Sequence, residues 1–233
     1  MQRKRYVIMM AAGCGSRMGA KIPKQFLEIG GKVILRRSIE AFIEACPDIR
    51  VVTVLSEQYI PYWEKYCMEK NFLCPQVIVK GGITRFHSVR NALEKIPAGA
   101  IVAVHDGVRP LATPGFIRNI MKKAEEVPAV VPVIPCVDTL KVLHEMNGEL
   151  CSVSGRHVDR SELFGAQTPQ VFHSEVLKMA YTQPYDMSFT DDASVVESAE
   201  ENLSFMIGER FNIKITTKDD MDLAEAILMM RKA

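Results

Sequence analysis

The chain has 233 residues, of which 48% are hydrophobic and 24% are charged. This is the composition of an ordinary soluble globular protein, and the length is enough for one large domain or two small ones with a substantial core. The formal net charge is only +1, so the strongly basic balance of nucleic-acid-binding proteins is absent and we expect no nucleic-acid partner. Because no apolar run approaches the roughly 20 residues that span a bilayer, we expect no membrane partner either.

Six cysteines are scattered along the chain without a CxxC pair or a Cys/His cluster. Such irregular spacing is typical of reduced, mostly buried thiols and not of a disulfide framework or a zinc site, and it favours a cytoplasmic location. The six are Cys14, Cys46, Cys67, Cys74, Cys136 and Cys151.

The first apolar stretch, YVIMMA at residues 6–11, leads into the motif AAGCGSRMG, and two hypotheses fit this start. In the first, it is a short secretory or lipoprotein leader with Cys14 as the lipid-anchor site. In the second, it is a buried strand that opens into a glycine loop. Tyr6–Ala12 has only seven residues, the lower limit for the apolar core of a signal peptide, and folded-looking sequence follows Cys14 instead of a polar tether. We therefore expect the strand.

Strand-length apolar runs then alternate with amphipathic helical patterns as far as Pro135. The runs are near-continuous, which is typical of parallel strands buried on both faces, so the alternation predicts an α/β fold with a doubly wound, mostly parallel, Rossmann-like sheet. The predicted strands are Tyr6–Ala11, Val51–Leu55, Gln76–Val79, Ile101–Val104 and Ala129–Ile134. The predicted helices lie within Leu35–Cys46, Tyr59–Phe72, Phe86–Ile96 and Pro114–Val127.

The alternation breaks after Pro135, where short alternating segments surround Asn147-Gly148. This dipeptide is typical of tight hairpin turns, so we predict a β-arm at about residues 138–163 that projects from one domain spanning residues 1–233. The exposed strand edges of such an arm need a cover, and a second copy of the chain would provide it. The arm therefore predicts a homodimer.

Beyond the arm, the sequence returns to longer elements. A helix is predicted near Ser174–Tyr181 and strands near Leu203–Ile207 and Phe211–Ile215. A final helix should start at Thr217, because Asp220 three residues later completes a pattern that resembles a capping box.

The loop motif AAGCGSRMG combines glycines with nearby cations. Gly13-x-Gly15-x-x-x-Gly19 is one residue too long for a dinucleotide-binding fingerprint, and no GK[ST] sequence follows for a P-loop. Pro23 lies where a phosphate-capping helix would have to continue, which predicts an irregular loop. A merely tight connection is one interpretation; glycines beside clustered cations after the first parallel strand favour a polyphosphate site. The cations are Arg17, Lys21 and Lys24.

The motif AVHDGVRP at residues 103–110 places an acid at the end of a buried strand. A carboxylate that faces a phosphate loop is well placed to hold Mg²⁺, which prefers carboxylate and phosphate oxygens. The alternative is that Asp106 caps the next turn and pairs with Arg109. The motif alone leaves both hypotheses open.

Two further motifs open helices. GGITRFHSVRNAL at residues 81–93 starts with a double glycine, which either brings the backbone and Ser88 close to a base or ribose or forms a tight strand-to-helix turn. Its His87 is expected to be exposed and not a base. SFTDDASVVE at residues 188–197 is typical of a helix N-terminus in which the acids cap the helix, with a second metal ligand as the less favoured hypothesis.

Together these motifs resemble one family. AAGxGxRM…PKQ, GG…R…SV, HDxxRP, DT(L)K, QTPQ.F, TDDAS.VE and NIKIT run in order from Ala11 to Thr216 and cover essentially the whole chain. Their order and spacing resemble the 2-C-methyl-D-erythritol 4-phosphate cytidylyltransferases of the non-mevalonate isoprenoid pathway. Ribitol 5-phosphate cytidylyltransferases share most of the motifs and form the alternative.

The resemblance implies a nucleotidyltransferase-type sheet and transfer of CMP from CTP to a polyol phosphate, with release of pyrophosphate and with Mg²⁺ as the cofactor. It implies that Arg17 and Lys24 stabilise the transition state and that Asp106 is the acid on the magnesium side. The residues expected to wrap the triphosphate are Ala11, Ala12, Gly13 and Gly15. Those expected to contact cytidine are Gly81, Gly82 and Ser88.

The resemblance also implies an acceptor site completed by the arm. Arg160 and Lys214 are expected as further catalytic cations, and with Thr168 and Thr190 they should meet the acceptor's phosphate. Arg109 and Asp106 should lie near its hydroxyls. In the family, the arginine and threonine that flank the arm come from the neighbouring subunit, which agrees with the homodimer predicted from the arm.

Overall fold

An eight-stranded sheet lies at the centre of the fold. The computed structural model describes residues 3–13, 22–153 and 158–231. The strands are β1 (Lys4–Ala11), β2 (Glu28–Ile29), β3 (Lys32–Val33), β4 (Arg50–Leu55), β5 (Gln76–Lys80), β6 (Ala100–Asp106), β7 (Ala129–Pro135), β8 (Leu143–Met146), β9 (Glu149–Ser152), β10 (Phe164–Ala166), β11 (Gln170–His173) and β12 (Ser204–Ile207). The α-helices are α1 (Ile34–Ala45), α2 (Ile60–Glu69), α3 (Arg85–Leu93), α4 (Pro114–Glu126), α5 (Ser174–Ala180), α6 (Asp192–Ser198) and α7 (Lys218–Met230).

The strand order is β10-β7-β11-β6-β1-β4-β5, and β12 pairs with β7. The pairs of β1 with β4 and β6, of β4 with β5 and of β12 with β7 are parallel. Within the central sheet, as far as the structure describes the chain, antiparallel pairs involve only β10 and β11, which follow the hairpin in sequence. The predicted α/β fold with a mostly parallel sheet is therefore confirmed.

Both faces of the sheet are buried under helices, which explains the near-continuous apolar runs. On β1, Val7 and Met9 join the apolar cluster of α1, α2 and α4, whereas Tyr6 and Ile8 join the cluster of α3, α5 and α6. All seven residues of β6 are buried. Because each large aliphatic side chain stabilises the fold by about 1.5–3 kcal/mol when fully buried, these two strands form a rigid base for whatever follows them.

The five strands predicted before Pro135 are all present, with ends that differ by at most two residues. The strand predicted at Phe211–Ile215 is wrong, because no ladder forms there. This segment is held by isolated hydrogen bonds instead. Ile215 N–H donates to the Val108 carbonyl at 2.9 Å, and the Asn212 side-chain amide donates to the Thr168 carbonyl at 2.8 Å.

The hairpin β8–β9 forms a separate two-stranded sheet. Its turn residues Asn147 and Gly148 have φ angles of 54° and 82°, the left-handed conformation that the Asn-Gly pair favours in a two-residue turn. Nearly all of its side chains are exposed. Across the described ranges, no helix is both long enough and apolar enough to cross a membrane.

Candidate active site

A cavity of about 650 Å³ opens at the carboxyl ends of β1 and β6. The chain runs from β1 to β4 and β5 on one side and then crosses to β6 on the other, so β1 and β6 flank a topological switch point. In α/β sheets, ligands bind in the crevice at such a point. Met10 is the register partner of Asp106, which places the loop after β1 directly beside the acid at the end of β6.

Gln25 holds the loop after β1 in place. Its side chain is 2% exposed, and its amide donates to the carbonyls of Ala11 at 2.7 Å and Gly13 at 3.0 Å. Gln25 lies in a short 3-10 turn, Lys24–Phe26, whose Phe26 is buried against Trp63 of α2. Because Lys24 shares this turn, anchoring the turn also places the Lys24 side chain in the cavity wall.

The double glycine before α3 forms a second wall. A side chain at Gly81 would place its Cβ 2.6 Å from the Cβ of Ala12, and one at Gly82 would collide with His87. The Ser88 hydroxyl accepts from Gly82 N–H at 3.0 Å and donates to the Thr84 carbonyl at 2.9 Å. Both glycines line the cavity, and Ser88 fixes the shape of their turn.

Asp106 is the charged centre of the opposite wall. Its Oδ2 lies 3.1 Å from Lys214 Nζ and 3.3 Å from Arg109 Nε. Burial would raise the pKa of this carboxyl, but the positive charges of Arg85, Lys214 and Arg109 outweigh it and hold the pKa well below its usual range. Asp106 is therefore ionised, with Lys214 and Arg109 beside its Oδ2.

A buried ion pair ties α3 to α6 beside the cavity. Arg85, which lines the cavity, donates to Asp192 Oδ2 at 2.6 Å, and the Tyr181 hydroxyl donates to Asp192 Oδ1 at 2.7 Å. The Asp192 side chain is fully buried, and the Arg85 side chain is 30% exposed. Burial opposes the charge on Arg85, but the adjacent Asp192 outweighs it and raises the pKa of Arg85.

The arrangement as a whole is an anion-binding cleft with bare backbone on one side and the cations Lys24, Lys80, Arg85 and Lys214 around it. Such a cleft suits a polyphosphate.

A family model described as 2-C-methyl-D-erythritol 4-phosphate cytidylyltransferase matches residues 6–230 of the sequence. The chain belongs to the 2-C-methyl-D-erythritol 4-phosphate cytidylyltransferase family.

Individual relatives agree over nearly their full lengths. The curated family member of Azobacteroides pseudotrichonymphae genomovar. CFP2 is 45% identical over 97% of this chain and 99% of its own length. That of Bacteroides thetaiotaomicron is 42% identical over 97% of this chain and 100% of its own length. The crystal structure of the Thermus thermophilus enzyme, at 30% identity, aligns with a TM-score of 0.76 over 98% of this chain and 100% of that one.

Membership makes the protein a cytidylyltransferase, a kind of nucleotidyltransferase, as the sequence motifs predicted. The ribitol 5-phosphate alternative is not favoured, since these relatives carry the methylerythritol phosphate name.

Many of the residues predicted from the motifs lie in the wall of the cavity. Those that line the cavity are Ala11, Ala12, Gly13, Lys24, Gly81, Gly82, Ser88, Asp106 and Lys214.

Other predicted residues of the cytidylyltransferase site lie elsewhere. Arg109 is mostly buried behind Asp106, and Thr168 is 5% exposed. Thr190 is exposed at the start of the α6 segment, and Arg160 is exposed beside the arm, where it donates to the Val137 carbonyl at 3.1 Å. The structure does not bring these two into the described part of the cavity wall. Gly15 and Arg17 lie outside the described residues.

The acids of the TDDAS motif have structural partners. Asp191 accepts from Ser194 N–H at 2.8 Å and from the Gln170 amide at 2.6 Å, which caps α6 and ties it to β11. Asp192 is the partner of Arg85 and Tyr181. The capping interpretation is thus confirmed for Asp191, whereas Asp192 forms an ion pair instead. His87, expected to be exposed, is half-buried, and its Nδ1 lies 2.8 Å from Thr84 Oγ1.

Residues that the motif analysis missed are Gln25, Arg85 and Lys80. Gln25 and Arg85 stand inside the quoted motifs PKQ and GG…R…SV, so the signal was present, but their partners lie elsewhere in the chain. Arg85 and Asp192 are 107 positions apart, a separation over which no local pattern operates.

Proposed function

We propose that this protein transfers CMP from CTP to 2-C-methyl-D-erythritol 4-phosphate, giving 4-diphosphocytidyl-2-C-methyl-D-erythritol and pyrophosphate in isoprenoid precursor biosynthesis. The observation that supports it best is the cleft at the switch point, where Lys24, Arg85 and Lys214 surround a bare backbone turn. The family and the printed names of the relatives agree with this proposal.

The chemistry needs position and charge more than a protein nucleophile. An oxygen of the acceptor's phosphate attacks the α-phosphorus of CTP, the new P–O bond forms in line with the bond to the β-phosphate, and pyrophosphate leaves with that bond's electrons. Negative charge grows on the α-phosphate oxygens during the step. Fixed cations stabilise that charge without reorganising, which is usually a large part of catalysis. We assign this role to Lys24 and, from the family motif, to Arg17.

The nucleotide half of the site follows from the two loops. Backbone groups of Ala11, Ala12 and Gly13 would wrap the triphosphate, because Gln25 fixes the carbonyls of this loop and leaves its outer surface to the cavity. The turn at Gly81 and Gly82 would hold cytidine. No Cβ can stand at either glycine, so the backbone can lie against a small pyrimidine ring.

Mg²⁺ fits this site as a companion of the nucleotide. Within the described residues, no group of three acidic, histidine or cysteine side chains could hold a metal by itself. In the described cavity lining, the carboxylates are Asp106 and Glu57, and Glu57 pairs with Lys80 at 2.6 Å. Mg²⁺ is commonly bound by one or two carboxylates together with substrate phosphates. When bound, Mg²⁺ would neutralise phosphate charge, and Asp106 would be the residue that contacts it.

The acceptor half involves Asp106, Arg109 and Lys214. Thr168 is buried beside Asp106, and Thr190 and Arg160 lie outside the described cavity wall of their own chain. We propose that the acceptor's hydroxyls meet Asp106 and Arg109 and that its phosphate meets Lys214. Arg160 of a second copy would complete this half, because Arg160 is exposed beside the arm of its own chain. The enzyme is then a homodimer held by the arm, and residues 1–233 form one domain with that arm at about 138–163.

We further propose a cytoplasmic protein without nucleic-acid or membrane partners. The five cysteines within the described ranges are all free thiols, as expected in a reducing compartment. The net charge of +1 offers no general attraction to nucleic acid.

The test is pyrophosphate release from each of CTP, UTP, ATP and GTP with methylerythritol phosphate or ribitol 5-phosphate as the acceptor. We expect turnover with CTP and methylerythritol phosphate and little with the other pairs. Efficient turnover with ribitol 5-phosphate, or with a purine nucleotide, would contradict the proposal. For the Lys24→Ala variant, the matched control is Lys123→Ala, since Lys123 is a lysine on α4 that pairs with Glu126 at the surface.

A further inference from the structure

His105 lies fully buried beneath the turn that carries Asp106 and Arg109. Its ring packs against Phe42, with 5.0 Å between the ring centroids, so it cannot reach a substrate. Both ring nitrogens nevertheless have polar partners. Nε2 lies 3.1 Å from the Arg109 carbonyl oxygen, and Nδ1 lies 3.1 Å from the Thr168 hydroxyl.

These contacts fix the donor and the acceptor of each hydrogen bond in a series that runs from Asp106 through Thr168 and His105 to Arg109. A carbonyl oxygen only accepts, so the proton of a neutral ring must be on Nε2, and Nδ1 must accept. The Thr168 hydroxyl therefore donates to Nδ1. Its oxygen also accepts the main-chain N–H of Asp106 at 3.0 Å. The order is Asp106 N–H to Thr168, Thr168 O–H to His105, and His105 Nε2–H to the Arg109 carbonyl.

Burial supports the neutral ring that this chain requires. The side chain is 0% exposed, and removal from water disfavours the charged imidazolium form. The chain connects the first and last residues of the turn Asp106–Arg109. Other bonds hold the middle: Gly107 N–H donates to the Met10 carbonyl at 2.9 Å, and the Val108 carbonyl accepts from Ile215 N–H at 2.9 Å.

We propose that His105 and Thr168 are positioning residues for the acceptor half of the reaction, acting through Asp106 and Arg109 and not on the substrate. Arg109 gains a second anchor, because its Nη1 donates to the Asn212 carbonyl at 2.7 Å while Asn212 holds the Thr168 carbonyl. The role of Thr168 thereby changes from a phosphate contact to a support of the carboxylate. This inference rests on the proposed function in assigning Asp106 and Arg109 to the acceptor.

The kinetic test compares Thr168→Val with Thr168→Ser. Valine keeps the shape but leaves Asp106 N–H without an acceptor and His105 Nδ1 without a donor, whereas serine keeps the hydroxyl. Loss of one partner of a buried hydrogen bond predicts that kcat/KM for the acceptor falls by about tenfold to a hundredfold in Thr168→Val. Thr168→Ser should recover most of that loss. The dissociation constant for CTP, measured by calorimetry, should remain at the wild-type value in both variants.

A second measurement does not depend on turnover. Ring ¹⁵N shifts of His105 in the wild-type protein at pH 7 should show a neutral ring protonated on Nε2 and accepting at Nδ1, and Thr168→Val should change the Nδ1 shift. A ring protonated on Nδ1 would overturn the proposal. So would wild-type acceptor kinetics in Thr168→Val, or an equal loss of CTP affinity, which would indicate general damage to the site.

These outcomes are separate from failure of the proposed function. If the wild-type enzyme does not use methylerythritol phosphate, the proposed function fails. Thr168→Val and Thr168→Ser are then assayed with the polyol phosphate that does support turnover. The ring shifts decide the hydrogen-bond chain in either case.

Discussion

Lys24 depends on its neighbours for its position. The adjacent Gln25 is bonded to two loop carbonyls and Phe26 is buried in the core, so the turn that carries Lys24 has little freedom to move. A flexible lysine on a rigid turn loses less entropy when it meets a phosphate than one on a mobile loop. This places a preorganised charge at the mouth of the cavity.

The Lys24→Ala variant should lower kcat by on the order of a hundredfold, as loss of one fixed charge-stabilising donor does in other enzymes. The fold should be intact, since Lys24 contributes nothing to the apolar core. Steady-state kinetics with saturating CTP and acceptor measure the effect. Near-wild-type turnover would remove Lys24 from the catalytic assignment, and Lys123→Ala controls for loss of one positive charge.

For single residues, the sequence predicted the residue types of the site better than their partners. Gly81, Gly82, Lys24 and Asp106 could be singled out because chemistry requires a bare backbone, a cation and an acid after particular strands. The hydrogen bonds from Asp106 through Thr168 to His105 could not be predicted, because Thr168 is separated in sequence from Asp106 by 62 positions and from His105 by 63. Such pairs become visible only when the sheet brings β6 and the segment before β11 together.

Among the elements, α7 begins with a capping box that the sequence predicted. Thr217 accepts from Asp220 N–H, and Asp220 Oδ2 accepts from the backbone and hydroxyl of Thr216 and from Thr217 N–H, at 2.6–2.8 Å. Burial opposes the charge of Asp220, but these donors outweigh it and lower its pKa to about 2. The ionised carboxylate is therefore better stabilised in the folded state than in the unfolded chain.

This difference predicts a pH-dependent contribution to stability. Since the folded pKa lies below the unfolded value of about 3.9, the contribution is fully present above about pH 4 and is lost as the pH falls towards 2. Partial exposure limits it to about 1–2 kcal/mol. Urea denaturation of Asp220→Asn should show this loss at pH 7 and a smaller difference from wild type at pH 3.

The matched control is Asp222→Asn, a change of the same kind on the exposed part of α7 beyond its first turn. It should have little effect on the free energy of unfolding at either pH. An Asp220→Asn defect that stays constant from pH 7 to pH 3 would contradict the role of the charge and leave only the loss of geometry.

The elements also show where pattern analysis stops. Parallel strands buried on both faces were predictable, because their runs are apolar throughout. The strands β10 and β11 were not predicted, because they are only three and four residues long and such short segments show little periodicity. Their pairing with β6 and β7 is set by tertiary packing. Phe211–Ile215 has the apolar alternation of a strand, yet its backbone N–H groups donate to loop carbonyls, as Ile215 does to Val108.

For the whole molecule, the arm is the feature that one chain does not explain. Leu143, Met146 and Leu150 of the hairpin are 45%, 56% and 73% exposed. An isolated two-stranded hairpin is marginally stable at best in water, and exposed apolar side chains add to its cost. A second copy that covers the hairpin would remove both problems. The same contact would bring Arg160, at the base of the arm, towards the neighbouring cavity.

This assembly predicts complementation between two inactive variants. Lys24→Ala impairs the cavity of its own chain, whereas Arg160→Ala would impair the cavity of the partner. In a heterodimer of the two, purified through two different affinity tags, the cavity of the Arg160→Ala chain retains Lys24 and receives an intact Arg160. With one complete site in two, turnover per dimer should be about half of the wild-type value, far above either homodimer.

If Arg160 instead serves its own chain, each site of that heterodimer carries one defect, and turnover stays as low as in the homodimers. Calorimetry separates the two variants further: Arg160→Ala should still bind CTP while its acceptor KM rises, since Arg160 is assigned to the acceptor's phosphate. Sedimentation establishes that the heterodimer persists at the assay concentration. A monomer with full activity would contradict the shared site, because no partner could then supply the arginine.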